Sequence, residues 1–319
     1  MKKCFYKAAE LVHSKLCFQT NCYENGRVIR ADQLVAIDDD ATSAFAAAKV
    51  FYEIRKEYGY CPKILCVGGK GLMSKYTHEK SEAELLAYVL EQLGIHRERI
   101  EILGEGRNSG DNVLAVAKVT PENTTTIWCC TQRLSLRLER TQAQQAPQMK
   151  SYYYVEEQSL DDVMKLYNGK GLCEGEMLLH ELASILNRCE AYAGTFQKPL
   201  EFEVPWEVLE AAKLLEANFR LKLPKKTLKS YWQFLKLYVA ILRNKKAMRQ
   251  ELDKETKKVA TQLLADKLVG PGDTILGEWL ETEVIGYYPS RWNGCYGLSA
   301  HYEGGGNKYA EPEYPYNLH

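Results

Sequence analysis

Ile64-Leu65-Cys66-Val67-Gly68-Gly69-Lys70-Gly71 is a continuous apolar run closed by a glycine turn. An apolar run of this kind is the mark of a strand covered on both faces. The same cycle of strand, polar turn and helix recurs from residue 63 to 140. A second strand, Ile100-Glu101-Ile102-Leu103, leads into Glu105-Gly106-Arg107-Asn108-Ser109-Gly110-Asp111-Asn112. A third, Thr125 to Cys130, leads into Thr131-Gln132-Arg133. In an open parallel sheet, turns at that point of the cycle gather along one edge. Strand C-termini and helix N-termini there form a ligand crevice.

Outward from this stretch the pattern holds. Leu34-Val35-Ala36-Ile37 reads as a first strand, ended by Asp38-Asp39-Asp40, and Thr42 to Tyr58 as a helix closed by Gly59. Ser81 to Leu93, Asp111 to Val119 and Leu134 to Gln145 read as the helices of the cycle, and Tyr152 to Val155 as a fifth strand. Phe5 to Phe18 has helical spacing. Strands alternating with helices predict an α/β fold: a Rossmann-like, doubly wound, mostly parallel sheet. From Leu160 the pattern changes to helix after helix, with pieces at 160–167, 176–193, 205–218, 227–243 and 245–268. Three regions follow: a Rossmann-like ligand-binding domain over 1–158, an α-helical domain over 159–286, and an irregular Tyr/Gly/Pro-rich tail over 287–319.

Composition narrows the function classes. The 319 residues are 45% hydrophobic, enough for a sizeable core, and 42 basic residues balance 42 acidic ones. No global field draws the chain to nucleic acid or membrane. The 10 cysteines form no Cys-x-x-Cys and the six histidines are scattered, so no metal site is expected. Reduced cysteines, no export signal and no long apolar span lead to the expectation of a cytoplasmic protein without a membrane anchor. Residues 222–258 hold 12 basic side chains. The apolar spacing of Leu228, Trp232, Leu235 and Val239 makes this an ordinary amphipathic face, and no nucleic-acid partner is expected.

Each turn has a structural and a functional reading. Gly68-Gly69-Lys70-Gly71 lacks the Gly-Lys-Ser/Thr of a P-loop and the helix spacing of the dinucleotide fingerprint. It is a tight strand exit or a floor beneath a ligand. Ser81 and Glu84 form a capping box. Glu82 is not needed for the box, and is either an acidic residue favoured by the helix dipole or a ligand contact. Asn108 or Ser109 can cap the following helix, whereas Asp111 and Asn112 exceed what capping needs. Asn amides suit recognition of a nucleobase, ribose or amide. Arg107 and Arg133 offer guanidinium forks to a carboxylate or phosphate. No Gly-x-Ser-x-Gly elbow is present, and no acceptor-activating base stands out.

Taken together, Val67-Gly68-Gly69-Lys70-Gly71, Glu79-Lys80-Ser81-Glu82-Ala83, Arg107-Asn108-Ser109-Gly110-Asp111-Asn112 and Thr131-Gln132-Arg133 with Arg137 resemble the YdcF-like family, which also contains the SanA and ElyC type envelope proteins. The match covers about 100 residues in order. It continues more weakly into 178–215, where Glu203 to Val208 is similar to the helical part of the cytosolic YdcF branch. The resemblance implies a Rossmann-like sheet, a crevice at these turns and S-adenosylmethionine as ligand, with no established reaction. It marks Gly68, Gly69, Gly71, Glu82, Asn108, Asp111 and Asn112 as site residues. Asp38, Lys70, Arg107, Ser109, Thr131 and Arg133 complete the candidate ligand-binding set. Asp111 stands where the family more often has Glu. Asp38-Asp39-Asp40 replaces a Gly- or Asn-containing turn and would repel phosphates. The leading expectation is a cytosolic protein binding a nucleoside-type small molecule. The alternatives are a hydrolase or transferase acting on a phosphorylated or carboxylated metabolite, or a non-catalytic interaction protein.

Overall fold

A computed structural model describes residues 2–37, 41–69, 81–106, 108–165, 178–179, 181–182, 184–185, 203–216 and 252–269. Five strands form one parallel sheet. They are β3 (Gln33–Ile37), β4 (Lys63–Val67), β5 (Ile100–Leu103), β6 (Thr125–Thr131) and β7 (Lys150–Glu156), in the order β5-β4-β3-β6-β7. The central strands are the buried ones: all five residues of β3, all seven of β6 and the last four of β4 are buried, whereas the edge strands β5 and β7 are only partly so. Counted from the first strand of the sheet, this is the 3-2-1-4-5 order of a Rossmann-like sheet, and its reversal point lies between β3 and β6.

Helices cover both faces. Leu34, Ala36, Ile64, Cys66, Ile127 and Cys129 face α2 (Thr42–Tyr58) and α3 (Glu82–Gln92). The alternate residues Val35, Leu65, Val67, Trp128 and Cys130 face α4 (Ser109–Val119) and α5 (Gln132–Gln145). The period-two split of one apolar run between two cores is what a doubly wound sheet requires. Gly59 ends α2 with φ of 72°, donating its N–H to Arg55 O at 2.9 Å.

Two features depart from the expected elements. The chain between the first helix and β3 holds a small hairpin, β1 (Tyr23–Glu24) and β2 (Arg27–Val28), turned by Asn25 and Gly26 at φ of 52° and 77°. Two left-handed residues in a two-residue loop match the right-handed strand twist. The third polar turn, expected at Thr131-Gln132-Arg133, does not exist as a loop. β6 pairs with β7 as far as Thr131, opposite Glu156, and α5 begins at the next residue. The β-branched and apolar run Thr125 to Thr131 sustains the strand to its last residue.

After residue 156 all described regular structure is helical: α6 (Leu160–Lys165), the described residues of 178–185, Trp206–Glu216 and residues 252–265. The first helix, α1 (Lys2–Lys15), joins these rather than the sheet. Its Ala8, Ala9 and Val12, with Leu16 just past its end, share a core with Leu178, Leu179, Leu182, Val208 and Leu215. Ala260, Leu263 and Val269 lie instead in the core beneath α2 and α3. The expected helix over 227–243 and the tail over 287–319 lie outside the described residues. No helix among the described residues is long and apolar enough to cross a membrane.

Candidate functional site

The β4–α3 and β5–α4 turns are locked together at the C-terminal edge of the sheet. Gly68 N–H donates to Leu103 O at 3.2 Å, and Gly69 N–H to Gly106 O at 2.8 Å. In return Glu82 and Ala83 donate their N–H groups to Gly69 O and Gly68 O at 3.3 and 2.9 Å. Gly68 sits at φ of 139°, where only glycine is at ease. A methyl group there would lie 2.6 Å from Glu82 Oε2, and one at Gly69 would collide with the Gly106 carbonyl. The glycines are thus explained by backbone packed on backbone. The Glu82 side chain lies across Gly68.

Both helix starts are capped from within. Ser81 Oγ accepts from Glu84 N–H at 3.3 Å, and Glu84 Oε2 accepts from Ser81 N–H at 2.7 Å. Asn108 Oδ1 accepts from Gly110 and Asp111 N–H at 2.8 and 3.1 Å, and its Nδ2 donates to Asp111 Oδ2 at 3.2 Å. Asn108 is therefore the cap of α4, and it holds Asp111. We expect Asn108→Ala to cost about 1 kcal/mol in urea unfolding. A variant as stable as the wild type would show that another group caps α4.

Asn112 is different. Its residue is only 6% exposed, yet its Oδ1 has no hydrogen-bond partner. That oxygen presses against Gly106, where any side chain would collide with it. Leaving a buried amide oxygen unbonded costs about 1–3 kcal/mol. An unbonded buried oxygen in the first turn of α4 calls for an explanation.

Thr131 ends β6 fully buried and precedes α5 without a side-chain capping bond. Arg133, expected beside a ligand, is 1% exposed and donates from Nη1 to Glu181 Oε1 at 2.8 Å. Arg137, one turn on, places Nη2 3.0 Å from Glu181 Oε2. Periodicity alone could not find Glu181, because it lies 48 residues away in a region the sequence marks only as helical. Ser109 is buried at the start of α4. Asp38, Lys70, Gly71 and Arg107 lie outside the described residues. The structure thus joins Gly68, Gly69, Glu82, Asn108, Asp111 and Asn112 in one junction, and sets Arg133 in a second cluster with Glu181.

Among the described residues no group of three or more His, Cys, Asp or Glu could hold a metal ion. Burial raises the Cys17 and Cys22 thiols, to about 11 and about 12. Neither is an activated nucleophile at neutral pH. No family model, curated protein or solved structure matches the chain.

Proposed function

We propose that this protein binds a nucleoside-type small molecule at the C-terminal edge of its sheet, S-adenosylmethionine being the leading candidate. The observation that carries the proposal is the buried, unbonded Oδ1 of Asn112 between two interlocked glycine turns. An acceptor there suits an exocyclic amine, a ribose hydroxyl or an ammonium group.

The capping pattern favours this class over a phosphorylated metabolite. Helix N-termini bind phosphate through free N–H groups. Here the Glu82 and Ala83 amides are taken by Gly69 and Gly68 carbonyls, and the Gly110 and Asp111 amides by Asn108. Glu82 and Asp111 add carboxylates to the first turns of α3 and α4. A ligand rich in donors fits these groups, and a phosphate does not. Asn112 would orient the ligand, while Glu82 and Asp111 would meet its hydroxyl or amino groups. Asn108 would act by holding Asp111. S-adenosylmethionine, when bound, supplies an activated methyl group.

A thermal-shift screen of S-adenosylmethionine, adenosine, nucleotides and sugar phosphates tests the proposal on the wild type and Asn112→Ala. We expect S-adenosylmethionine to raise the wild-type melting temperature, by an amount that at 100 times Kd corresponds to about 2.7 kcal/mol. Asn112→Ala should lose the shift while unfolding as cooperatively as the wild type. An equal shift in both proteins, or a response to sugar phosphates alone, would defeat it.

A further inference from the structure

We propose that His13 is an acid-sensitive latch, and that its protonation frees the stretch of chain that caps the β7 edge of the sheet. β7 is an edge strand, and no further strand among the described residues pairs with its outer side. Residues 18–21 take that place. Tyr153 N–H donates to Asn21 Oδ1 at 2.7 Å, and Val155 N–H to Thr20 Oγ1 at 2.9 Å. Asn21 N–H and Thr20 Oγ1 donate in return to the Tyr153 and Val155 carbonyls, at 3.0 and 3.2 Å. Phe18 N–H donates to Ser135 Oγ at 2.7 Å. Side chains thus do half the pairing that a strand would do, and the cover keeps β7 from serving as a template for another chain.

The cover follows α1 directly, and His13 fastens the end of α1 to the loop after β7. His13 is 8% exposed, and its Nε2 lies 3.1 Å from Gln158 O. A carbonyl only accepts, so Nε2 carries the proton and Nδ1 is a bare acceptor. That Nδ1 is buried and has no hydrogen-bond partner among the described residues. The loop is anchored in turn, since Gln158 N–H donates at 2.9 Å to Oε1 of Gln132, the first residue of α5. The charged groups on the elements around His13 are Glu157 in the loop, Asp161 and Asp162 on α6, Arg133 and Arg137 on α5 with Glu181, and Glu207, Glu210, Lys213 and Glu216 on the helix Trp206–Glu216. On α1 itself Glu10 and Lys15 are exposed, and the Cys17 thiol, which donates to His13 O, stays protonated through the neutral range. Asp162 accepts from Ser159 Oγ, Glu181 spans its two arginines and Glu210 holds Lys213. None of these groups is hydrogen-bonded to the ring. Ionising the ring would put a proton on Nδ1 where no acceptor meets it. Burial accordingly lowers the His13 pKa from its ordinary 6.5, against the Gln158 bond, which raises it. The docked form rejects the proton and the open form takes it. Docking is therefore at full strength above 6.5 and is lost as pH falls from there toward the lowered value.

Amide hydrogen exchange of the full chain as a function of pH, corrected for the intrinsic rate, tests the latch. Protection of residues 14–21 and 153–158 should fall by up to about tenfold per pH unit below the ordinary imidazole value. His13→Gln keeps an N–H donor for Gln158 O and cannot titrate, so the same peptides should lose that pH dependence. His96→Gln, at an exposed histidine, should keep it. Where His13→Gln does not fold, NMR titration of the wild-type His13 ring decides, with a midpoint below 6.5 expected. A midpoint at or above 6.5 would overturn the proposal. So would a wild-type protection that does not change with pH, or an unchanged pH dependence in His13→Gln. An equal loss of protection in β4 would show global acid unfolding in place of a local latch, and would overturn it too.

Discussion

Gly69→Ala is expected to destabilise the protein by roughly 2–3 kcal/mol and to abolish ligand binding. The added methyl group would strike the Gly106 carbonyl, a backbone atom with no rotamer to retreat into. Relief requires the β4–α3 and β5–α4 turns to separate, which breaks the 2.8 Å bond from Gly69 N–H to Gly106 O. Separation also moves Asn112, whose Oδ1 rests on Gly106. The control is Gly59→Ala. Gly59 also has positive φ, at 72°, but nothing lies within 4 Å of its missing Cβ. Only backbone strain remains there, worth about 1 kcal/mol. Urea unfolding of the two variants decides the matter. A Gly69→Ala loss no larger than that of Gly59→Ala would mean that the turns are not rigidly joined.

Glu181→Ala is expected to have the larger effect on stability. It leaves Arg133, 1% exposed, and Arg137, with a side chain 14% exposed, without the carboxylate that spans them. Removing one partner of a buried pair typically costs about 3–5 kcal/mol. Replacing the whole cluster, Arg133→Met with Arg137→Leu and Glu181→Leu, should recover most of that loss, because no charge is then left buried. Chemical denaturation at low and high salt gives both numbers. A loss below about 1 kcal/mol, reduced further by salt, would place the cluster among surface ion pairs.

The sheet was legible because its strands are continuous apolar runs. Ile64 to Val67 and Leu34 to Ile37 read as buried strands because they are short and bounded by turn residues. The junction of Gly68, Gly69, Glu82, Asn108 and Asn112 was legible as an edge, since each residue follows a strand. Its internal division of labour was not. Whether a glycine serves a ligand or a neighbouring carbonyl depends on contacts between turns over 30 residues apart, and no local pattern encodes them. Asn108 and Asn112 look alike in sequence; one proves to be a helix cap and the other a buried amide with an unbonded oxygen.

Other features escaped for identifiable reasons. Asn25-Gly26 is a strong hairpin signal, but strands of two residues carry no periodicity to confirm it. Thr131-Gln132-Arg133 reads as a turn because its side chains are polar. Burial of Thr131 and pairing of Arg133 with Glu181 make those same polar groups part of the interior. A buried arginine requires a partner, and a partner 48 residues distant is tertiary information. The grouping of α1 with the later helices is of the same kind. Its amphipathic face suits any apolar surface, and packing alone selects the one formed by Leu178, Leu182 and Leu215.

The proposed role of the joined turns is to hold a nucleoside-type ligand through Asn112. Amide hydrogen exchange of the wild type with and without S-adenosylmethionine tests it most directly. Exchange should slow in residues 68–69, 82–86 and 108–113 of the wild type, and the same peptides of Asn112→Ala should show no slowing. Protection confined to another face, such as α2 with β7 or residues 252–265, or protection that survives intact in Asn112→Ala, would contradict it.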